Sequence, residues 1–440
     1  MIRNVIDYKN TIVLFFIILL VIIPIITVLS YIVQPPSQLW GHLSENLLSK
    51  YLYNTFIILV SVAFFTVIIG VSCAWLVTNF NFPAKNIFKW LLVMPIAIPT
   101  YVSAYIYAGL FEPSGMIFDS VENYFGLGKE LYEIIELRNI YGVIFILSIC
   151  LYPYVYLLAY SSFKEQSYCA LEVGKSLGLN SRELFSKISI PLARPGIIAG
   201  LSLVMMETLA EFGTMDYYGV STFTTGIYRT WFSLGDENSA LHLSSILLTF
   251  VFILIIIEKA SRGKSQYVNT SQKSRKLKTK ELNRIKSVYA FFWCSLFSVI
   301  GFIVPVIQLF VWILETYDYI FNAYSIQIIT NTISIAAIAA AIIVLISIYS
   351  SYINRSTSNV YIKSSLRIFS LGYSIPGVVI AVGIIIPLAM VDNIQSMLFG
   401  SPIYYLSGSL FALVLAYLVR FSTISYNATE TGLGLSLIHI

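Results

Sequence analysis

Charge is what this sequence has least of. Only 11% of its 440 residues are Asp, Glu, Lys or Arg, against 58% hydrophobic, and so little polar surface cannot cover a soluble globule of this size. Histidine is scarcer still. His42, His242 and His439 stand singly, so no zinc or catalytic constellation is built from them. The cysteines Cys73, Cys150, Cys169 and Cys294 fall in three apolar runs and one polar loop without metal-type spacing, and they read as ordinary core residues. A phosphate-cradling Gly-x4-Gly-Lys-Ser/Thr loop is absent too. The "GKS" at Gly174–Ser176 has Cys169 where the first glycine is required, so no bound ATP, and no other cofactor, is expected on this chain.

What is present is apolar length. Ten runs, near Thr11–Val33, Asn54–Val77, Ile87–Leu110, Ile140–Tyr160, Gly196–Met215, Leu241–Ile257, Val288–Leu314, Thr332–Tyr352, Ile368–Met390 and Leu410–Ser425, are long enough to cross about 30 Å of hydrocarbon as helices. The class expected is an all-α polytopic membrane protein. The first run leads into "VQPPSQLW" rather than a small-residue cleavage site and reads as a retained helix.

Basic residues set the expected orientation. With Arg3 and Lys9 in the cytoplasm, every second loop is cytoplasmic, and those loops hold Lys85 and Lys89, Lys164 to Arg194, a basic linker, and Arg355, Lys363 and Arg367. The longest opposite loop, Phe111 to Asn139, is acidic. The linker carries ten Lys or Arg from Lys259 to Lys286; anionic lipid is the expected partner of such a segment and nucleic acid is not.

The linker also separates two similar halves. "NTFIILVSVAFFTVIIG" from Asn54 aligns without gaps on "NTISIAAIAAAIIVLIS" from Asn331, and the same register pairs Ile98-Pro99 with Ile375-Pro376. Gly142 and Tyr160 pair with Gly408 and Tyr426. The expected organisation is a first half over 1–258, a linker over 259–287 and a second half over 288–440, as parallel repeats. Pro95, Pro99 and Pro376 are expected to bend helices where a pathway runs, or simply to make packing kinks.

Between the fourth and fifth runs lies "ALEVGKSLGLNSRELFSKISIPLARPG", Ala170 to Gly196, which is amphipathic and charged. Gly178 suits the left-handed turn that ends a helix. Asn180 with Glu183 makes a variant capping box for a second helix whose apolar stripe, Leu184, Phe185 and Ile188, is expected to run until Pro191 interrupts it. Two helices this short need a partner surface or the membrane face to be stable. Glu172, Lys175, Arg182, Glu183 and Lys187 mix both signs, unlike the basic face of a lipid-lying helix.

Glu172, Gly178, Ile188 and Pro191 stand at the spacing of the "EAA" loop, and the segment resembles that loop in the permease subunits of binding-protein-dependent ABC importers. It departs from the pattern at Val173, Gly174 and Ile190. The resemblance implies a MetI-like permease fold of two six-helix halves, ten spans present here of an expected twelve. It implies that residues 161–195 form the coupling loop, with Glu172, Gly178, Leu184, Phe185, Ile188 and Pro191 engaging the ATPase. It further implies a separate ATP-binding subunit, acting as a dimer and carrying ATP-Mg, a periplasmic binding protein, and a place in the bacterial inner membrane. The chain itself would not be an enzyme. By the repeat register a second coupling loop is due after "SYNATETGLG", so the second half is expected to be truncated, with a foreign tail after about Gly434.

Substrate is addressed by "LVMMETLAEFGTMDYYGV". Glu207 and Glu211, four apart, are expected on one helical face, where burying each charge costs roughly 3 kcal/mol and calls for a cavity, a partner or a proton. They either serve structure, for example by pairing with Arg420, or line the route of a hard cation. No certain metal site follows, although both are candidates for transient Fe3+ contact. With Asp216 and "TFTTGIYRTWFSLGD" from Thr222, this region looks like the ferric-iron subgroup of these permeases. Polyamine, sulfate, thiamine and phosphonate importers share the architecture. An ion-coupled secondary transporter and a membrane-embedded enzyme are the alternatives from other classes.

Overall fold

A computed structural model describes residues 8–113, 115–126, 136–165, 173–174, 176–262, 279–320, 322–357, 359–366, 372–401 and 404–439. In chain order the helices are α1 (Tyr8–Ser30), α2 (Gln38–Asn46), α3 (Leu48–Asn79), α4 (Lys85–Leu91), α5 (Thr100–Phe111), α6 (Met116–Phe125) and α7 (Ile140–Glu165). There follow α8 (Ser181–Leu184), α9 (Ile190–Ala210), α10 (Gly213–Tyr217), α11 (Phe223–Tyr228) and α12 (Glu237–Arg262). The remainder are α13 (Arg284–Ser298), α14 (Val304–Ile320), α15 (Ala323–Ser356), α16 (Val360–Leu366), α17 (Gly377–Phe399) and α18 (Leu410–His439). Among the described residues nine continuous helices are long and apolar enough to cross a membrane. Helix is the outcome chemistry demands, because hydrocarbon offers no water to satisfy an unpaired backbone group.

Three of the ten expected spans are shaped differently around a proline. The run Ile87–Leu110 is two helical pieces bent by 93°. Pro99 is the cause: the residue before a proline is pushed out of the α region, and Ile98 is extended at φ −103°, ψ 120°. Within the run Ile368–Met390 a helix starts at Gly377, after Pro376, and continues to Phe399; residues 368–371 lie outside the described residues. The run Gly196–Met215 starts earlier and ends earlier. Its helix α9 joins α8 through a π-helical turn at Phe185–Ser189 and stops at Ala210, so Pro191 does not interrupt it. A π turn opens the ladder by one residue, which provides for the proline's missing N–H and its ring.

The two Ile-Pro pairs share one backbone conformation. Pro99 (φ −56°, ψ 140°) and Pro376 (φ −56°, ψ 138°) each precede a helix. Ile98 N–H donates to the Pro95 carbonyl at 3.2 Å and Ile375 N–H donates to the Gly372 carbonyl at 3.3 Å. The matching dipeptides thus build matching corners.

The chain forms two compact units that interleave along the sequence. One comprises Leu48–Thr225 and Phe252–Glu315. Its axis is α7, against which α3 and α9 press through glycine: a Cβ at Gly70 would lie 2.9 Å from Tyr156 N, and one at Gly200 would lie 2.7 Å from Val155 Cα. Close backbone approach through small residues is how helices associate in lipid, where apolar side chains gain little by leaving the solvent. Helix α13, from beyond the linker, belongs here. Trp293 Nε1 donates to Ser72 Oγ at 2.9 Å, Phe291 meets Phe88 at 5.5 Å, and the Tyr107 hydroxyl donates to the Ile300 carbonyl. A two-residue parallel strand pair, Phe80–Asn81 with Lys280–Glu281, closes the same corner.

The other unit comprises Met1–Leu47, Gly226–Val251 and Thr316–Ile440. Here α1, the first helix of the chain, lies against α17, with Gly383 facing the Pro24 carbonyl. Ser245 Oγ donates to the Val28 carbonyl at 2.5 Å. At the ends of α2 and α12, Asp236 accepts from Ser37 Oγ at 2.5 Å and from Ser239 N–H at 3.2 Å. Burial pushes the Asp236 carboxyl up, but hydrogen bonds from Ser239 and Ser37 and from the Ser239 and Asn238 amides outweigh it and hold it below its ordinary value. Each unit therefore contains helices from both sides of the linker.

Candidate functional site

The charged elbow is built as its sequence chemistry dictates. Gly178 has φ +81°, and no atom lies within 4 Å of where a Cβ would stand, so the left-handed backbone, not space, requires glycine. Leu179 N–H donates to the Gly174 carbonyl at 3.1 Å, the six-to-one bond of a Schellman end. Asn180 Oδ1 then accepts from the N–H groups of Arg182 and Glu183, both at 3.0 Å, while Glu183 Oε2 accepts from Asn180 N–H at 3.0 Å. That is a reciprocal capping box. Lys187 Nζ meets Glu183 Oε1 at 3.0 Å, four residues on; this exposed pair adds little to stability.

The apolar side chains of the elbow divide into two groups. Leu184 is buried, and its tip, with that of Ile188, lies 2.5 Å from where a Cβ on Gly174 would be. Glycine at 174, where the family pattern has alanine, thus leaves room for the tips of Leu184 and Ile188. Phe185 packs at a tilt against Trp75 of α3 with ring centroids 4.9 Å apart, and Trp75 meets Phe163 of α7 at 5.3 Å. These contacts bolt the elbow to the membrane helices. Facing out are Val173 at 58% and Leu177 at 76% exposure, with Pro191 also exposed. Glu172 lies outside the described residues.

The acidic stretch is arranged differently from its sequence expectation. Glu207 is half-buried in α9, but α9 ends at Ala210 and Glu211 is extended at φ −68°, ψ 127°. The two carboxylates therefore do not share a helical face. Glu211 Oε2 accepts from Thr100 Oγ1 at 2.6 Å, and its Oε1 accepts from Thr214 N–H at 2.8 Å. One carboxylate thus ties the end of α9 to the first residue of α5, beyond the Pro99 corner, and to the start of α10. Thr224 Oγ1 donates to the Glu211 carbonyl at 2.7 Å. Gly213 sits over Tyr101, whose Cβ would be 2.8 Å from an added Cβ. Asp216 is exposed on α10.

Sequence reasoning missed the partners that hold this loop. Asn54 Nδ2 donates to the Ser221 carbonyl at 2.8 Å, and Thr55 Oγ1 accepts from Phe223 N–H at 3.4 Å. The repeated Asn-Thr pair was the available signal. In the second half Asn331 is exposed, and the Thr332 hydroxyl bonds within its own helix, to the Ile328 carbonyl at 2.8 Å. Arg420 donates to the Ile375 carbonyl at 3.1 Å and lies 5.7 Å from the Tyr373 ring centroid. Among the described residues no group of three or more His, Cys, Asp or Glu converges as a metal site.

The described residues thus form a multi-helix body with a capped, glycine-cornered elbow ahead of α9. Residues 66–258 match the family described as binding-protein-dependent transport system inner membrane component. The chain is similar to the Fe(3+)-transport system permease protein FbpB 2 of Haemophilus influenzae, at 23% identity over 77% of this chain and 63% of that protein. It therefore spans less than two thirds of that relative's length. Similarity extends to the sulfate transport system permease protein CysT of Escherichia coli, 25% identical over 34% of this chain and 52% of CysT. The molybdenum transport system permease protein ModB of E. coli is 22% identical over 44% of this chain and 85% of its own length.

Proposed function

We propose that this chain is the membrane-spanning subunit of an ABC importer that passes ferric iron into the cytoplasm. The observation that carries the reading is the elbow: a glycine corner at Gly178 and an Asn180–Glu183 box opening the helix that continues into α9, mounted on Trp75 through Phe185, with Val173 and Leu177 left facing out. An exposed apolar pair on a rigid mount is suited to a groove on a partner. That partner is a cytoplasmic ATP-binding subunit, acting as a dimer and carrying ATP-Mg, which hydrolyses ATP. Gly178, Leu184, Phe185 and Ile188, with Glu172 and Pro191, are the residues assigned to coupling with that ATPase. A periplasmic binding protein delivers the substrate. The N-terminus lies in the cytoplasm, and the two halves are parallel repeats divided by the basic linker.

Iron is favoured by coverage. The match to the ferric-iron permease takes in 77% of the chain, whereas those to CysT and ModB of E. coli take in 34% and 44%. Glu207, Glu211 and Asp216 are the acidic groups of the proposed route. Sulfate or molybdate is the second reading, supported by those same two relatives. The test is ATP hydrolysis by the full complex reconstituted in vesicles, with Fe(III)-loaded, sulfate-loaded and molybdate-loaded binding proteins compared. Stimulation by the iron-loaded protein alone is expected; stimulation by an oxyanion-loaded protein alone would reassign the substrate. Glu207→Gln with Glu211→Gln should impair iron uptake and leave complex assembly intact.

A further inference from the structure

In the unit containing Leu48–Thr225, the ends of α3 and α7 and one side of α4 line a cavity of about 340 Å³ that opens to the surface. Three lysines line it, Lys85, Lys89 and Lys164, together with Thr78, Asn86 and Tyr160. Lys85 and Lys89 are half-buried and Lys164 is exposed. Among the described residues none of the three is in an ion pair within 4 Å. Acidic groups do stand nearby. Glu281 acts on Lys85 through space, but its carboxylate is engaged by Asn81 Nδ2 at 2.8 Å. Glu165, beside Lys164, accepts weakly from Ser161 Oγ at 3.4 Å. The Lys89 ammonium also lies 5.1 Å from the Trp90 ring centroid.

Three ammonium groups around one partly dehydrated space repel each other, and an anion in that space removes the cost. The rest of the lining is Val77 with a hydroxyl, an amide and a phenol, and the last three supply neutral donors. Lysine point charges with neutral donors suit phosphate oxygens, and the volume falls in the range of about 300–1,000 Å³ typical of small-molecule sites. The lysines sit at the ends of membrane-spanning helices, the level at which lipid phosphates lie, and basic pockets between such helices take anionic headgroups.

We propose that the cavity formed by Lys85, Lys89 and Lys164 binds a phosphate-bearing anion, supplied by the headgroup of an anionic phospholipid. The same chemistry would accept a soluble phosphate ester, and the experiment separates the two sources. The purified full chain in neutral detergent is titrated with dioctanoyl phosphatidylglycerol, dioctanoyl phosphatidylcholine and glycerol 3-phosphate, with binding read by native mass spectrometry. Phosphatidylglycerol should bind saturably and at least about tenfold tighter than phosphatidylcholine, and weaken with added salt. Each lysine is expected to contribute about fivefold. Lys164→Gln, exposed and safe for folding, should weaken phosphatidylglycerol by about that factor, and Lys85→Gln with Lys89→Gln and Lys164→Gln by at least about fiftyfold. Lys363→Gln, elsewhere on the surface, should change nothing. Saturable glycerol 3-phosphate binding that is lost in the Lys164→Gln variant, without a phosphatidylglycerol preference, would keep the phosphate site but move its source to solution. Unchanged phosphatidylglycerol affinity in Lys164→Gln, or an equal loss in Lys363→Gln, overturns the site.

Discussion

Gly178 is the residue on which the elbow turns. Because φ is +81° there, a β-branched replacement costs about 1–2 kcal/mol or more, and Gly178→Val should shift the angle between the elbow helices. In the reconstituted complex the expected result is uncoupling: basal ATP hydrolysis retained, stimulation by loaded binding protein lost. Glu211 makes a separable prediction. Glu211→Ala leaves the Thr100 hydroxyl and the Thr214 N–H without their acceptor and should destabilise the chain by about 1–3 kcal/mol, whereas Glu211→Gln keeps an acceptor oxygen and should lose less. Thermal unfolding of the two purified variants gives the comparison. Asp236 carries a pH dependence. Its folded value is depressed below 3.8, so its contribution is present above the unfolded value and disappears as pH falls through the folded one. The stability difference between wild type and Asp236→Asn should therefore be constant near neutrality and shrink below about pH 4. A difference that grows on acidification would contradict the hydrogen-bond assignment.

At the scale of the element, proline and glycine act through the backbone they permit. Pro191 follows a π turn that ends at Ser189, so the helix is already adjusted to the missing N–H. Pro191→Ala should leave helicity unchanged and stability within about 1 kcal/mol by circular dichroism and thermal melts. Gly200 is the opposite case. Its closest neighbours are backbone atoms of α7, which cannot rotate away, so Gly200→Leu should separate α9 from α7 and cost about 1–3 kcal/mol or more. Both helices and both corners were legible from apolar length and Ile-Pro spacing. The π turn at Phe185–Ser189 was not, because no local pattern marks the added residue in the helix.

At the scale of the molecule, the compact units cut across the linker. Helix α13 is bound to α3 through Trp293 and Ser72, and the buried thiols of Cys73 on α3 and Cys294 on α13 interact. A protease site inserted within residues 263–278 and then cut should leave two fragments that copurify in mild detergent. Copper-phenanthroline oxidation should join them covalently through Cys73 and Cys294, and Cys73→Ala should abolish that product on a denaturing gel. Fragments that part on cutting would show that the contacts of α13 do not hold. The carboxylates show the limit of sequence reading in the same way. Spacing alone put Glu207 and Glu211 on one face, since nothing local signals that α9 stops at Ala210; Thr100, Thr214 and Thr224 end it by offering Glu211 better partners.

The sequence by itself determined the membrane class, the helical state of the runs, the repeat corners and the capped elbow. Each depends on interactions within a few residues, or on the refusal of hydrocarbon to solvate a backbone. Only the tertiary structure decided which helices associate, where Glu211 leaves the helix, and which of the elbow's apolar residues face inward. Those outcomes rest on glycine contacts, aromatic stacking and hydrogen bonds between segments far apart in the chain, and no local pattern encodes them.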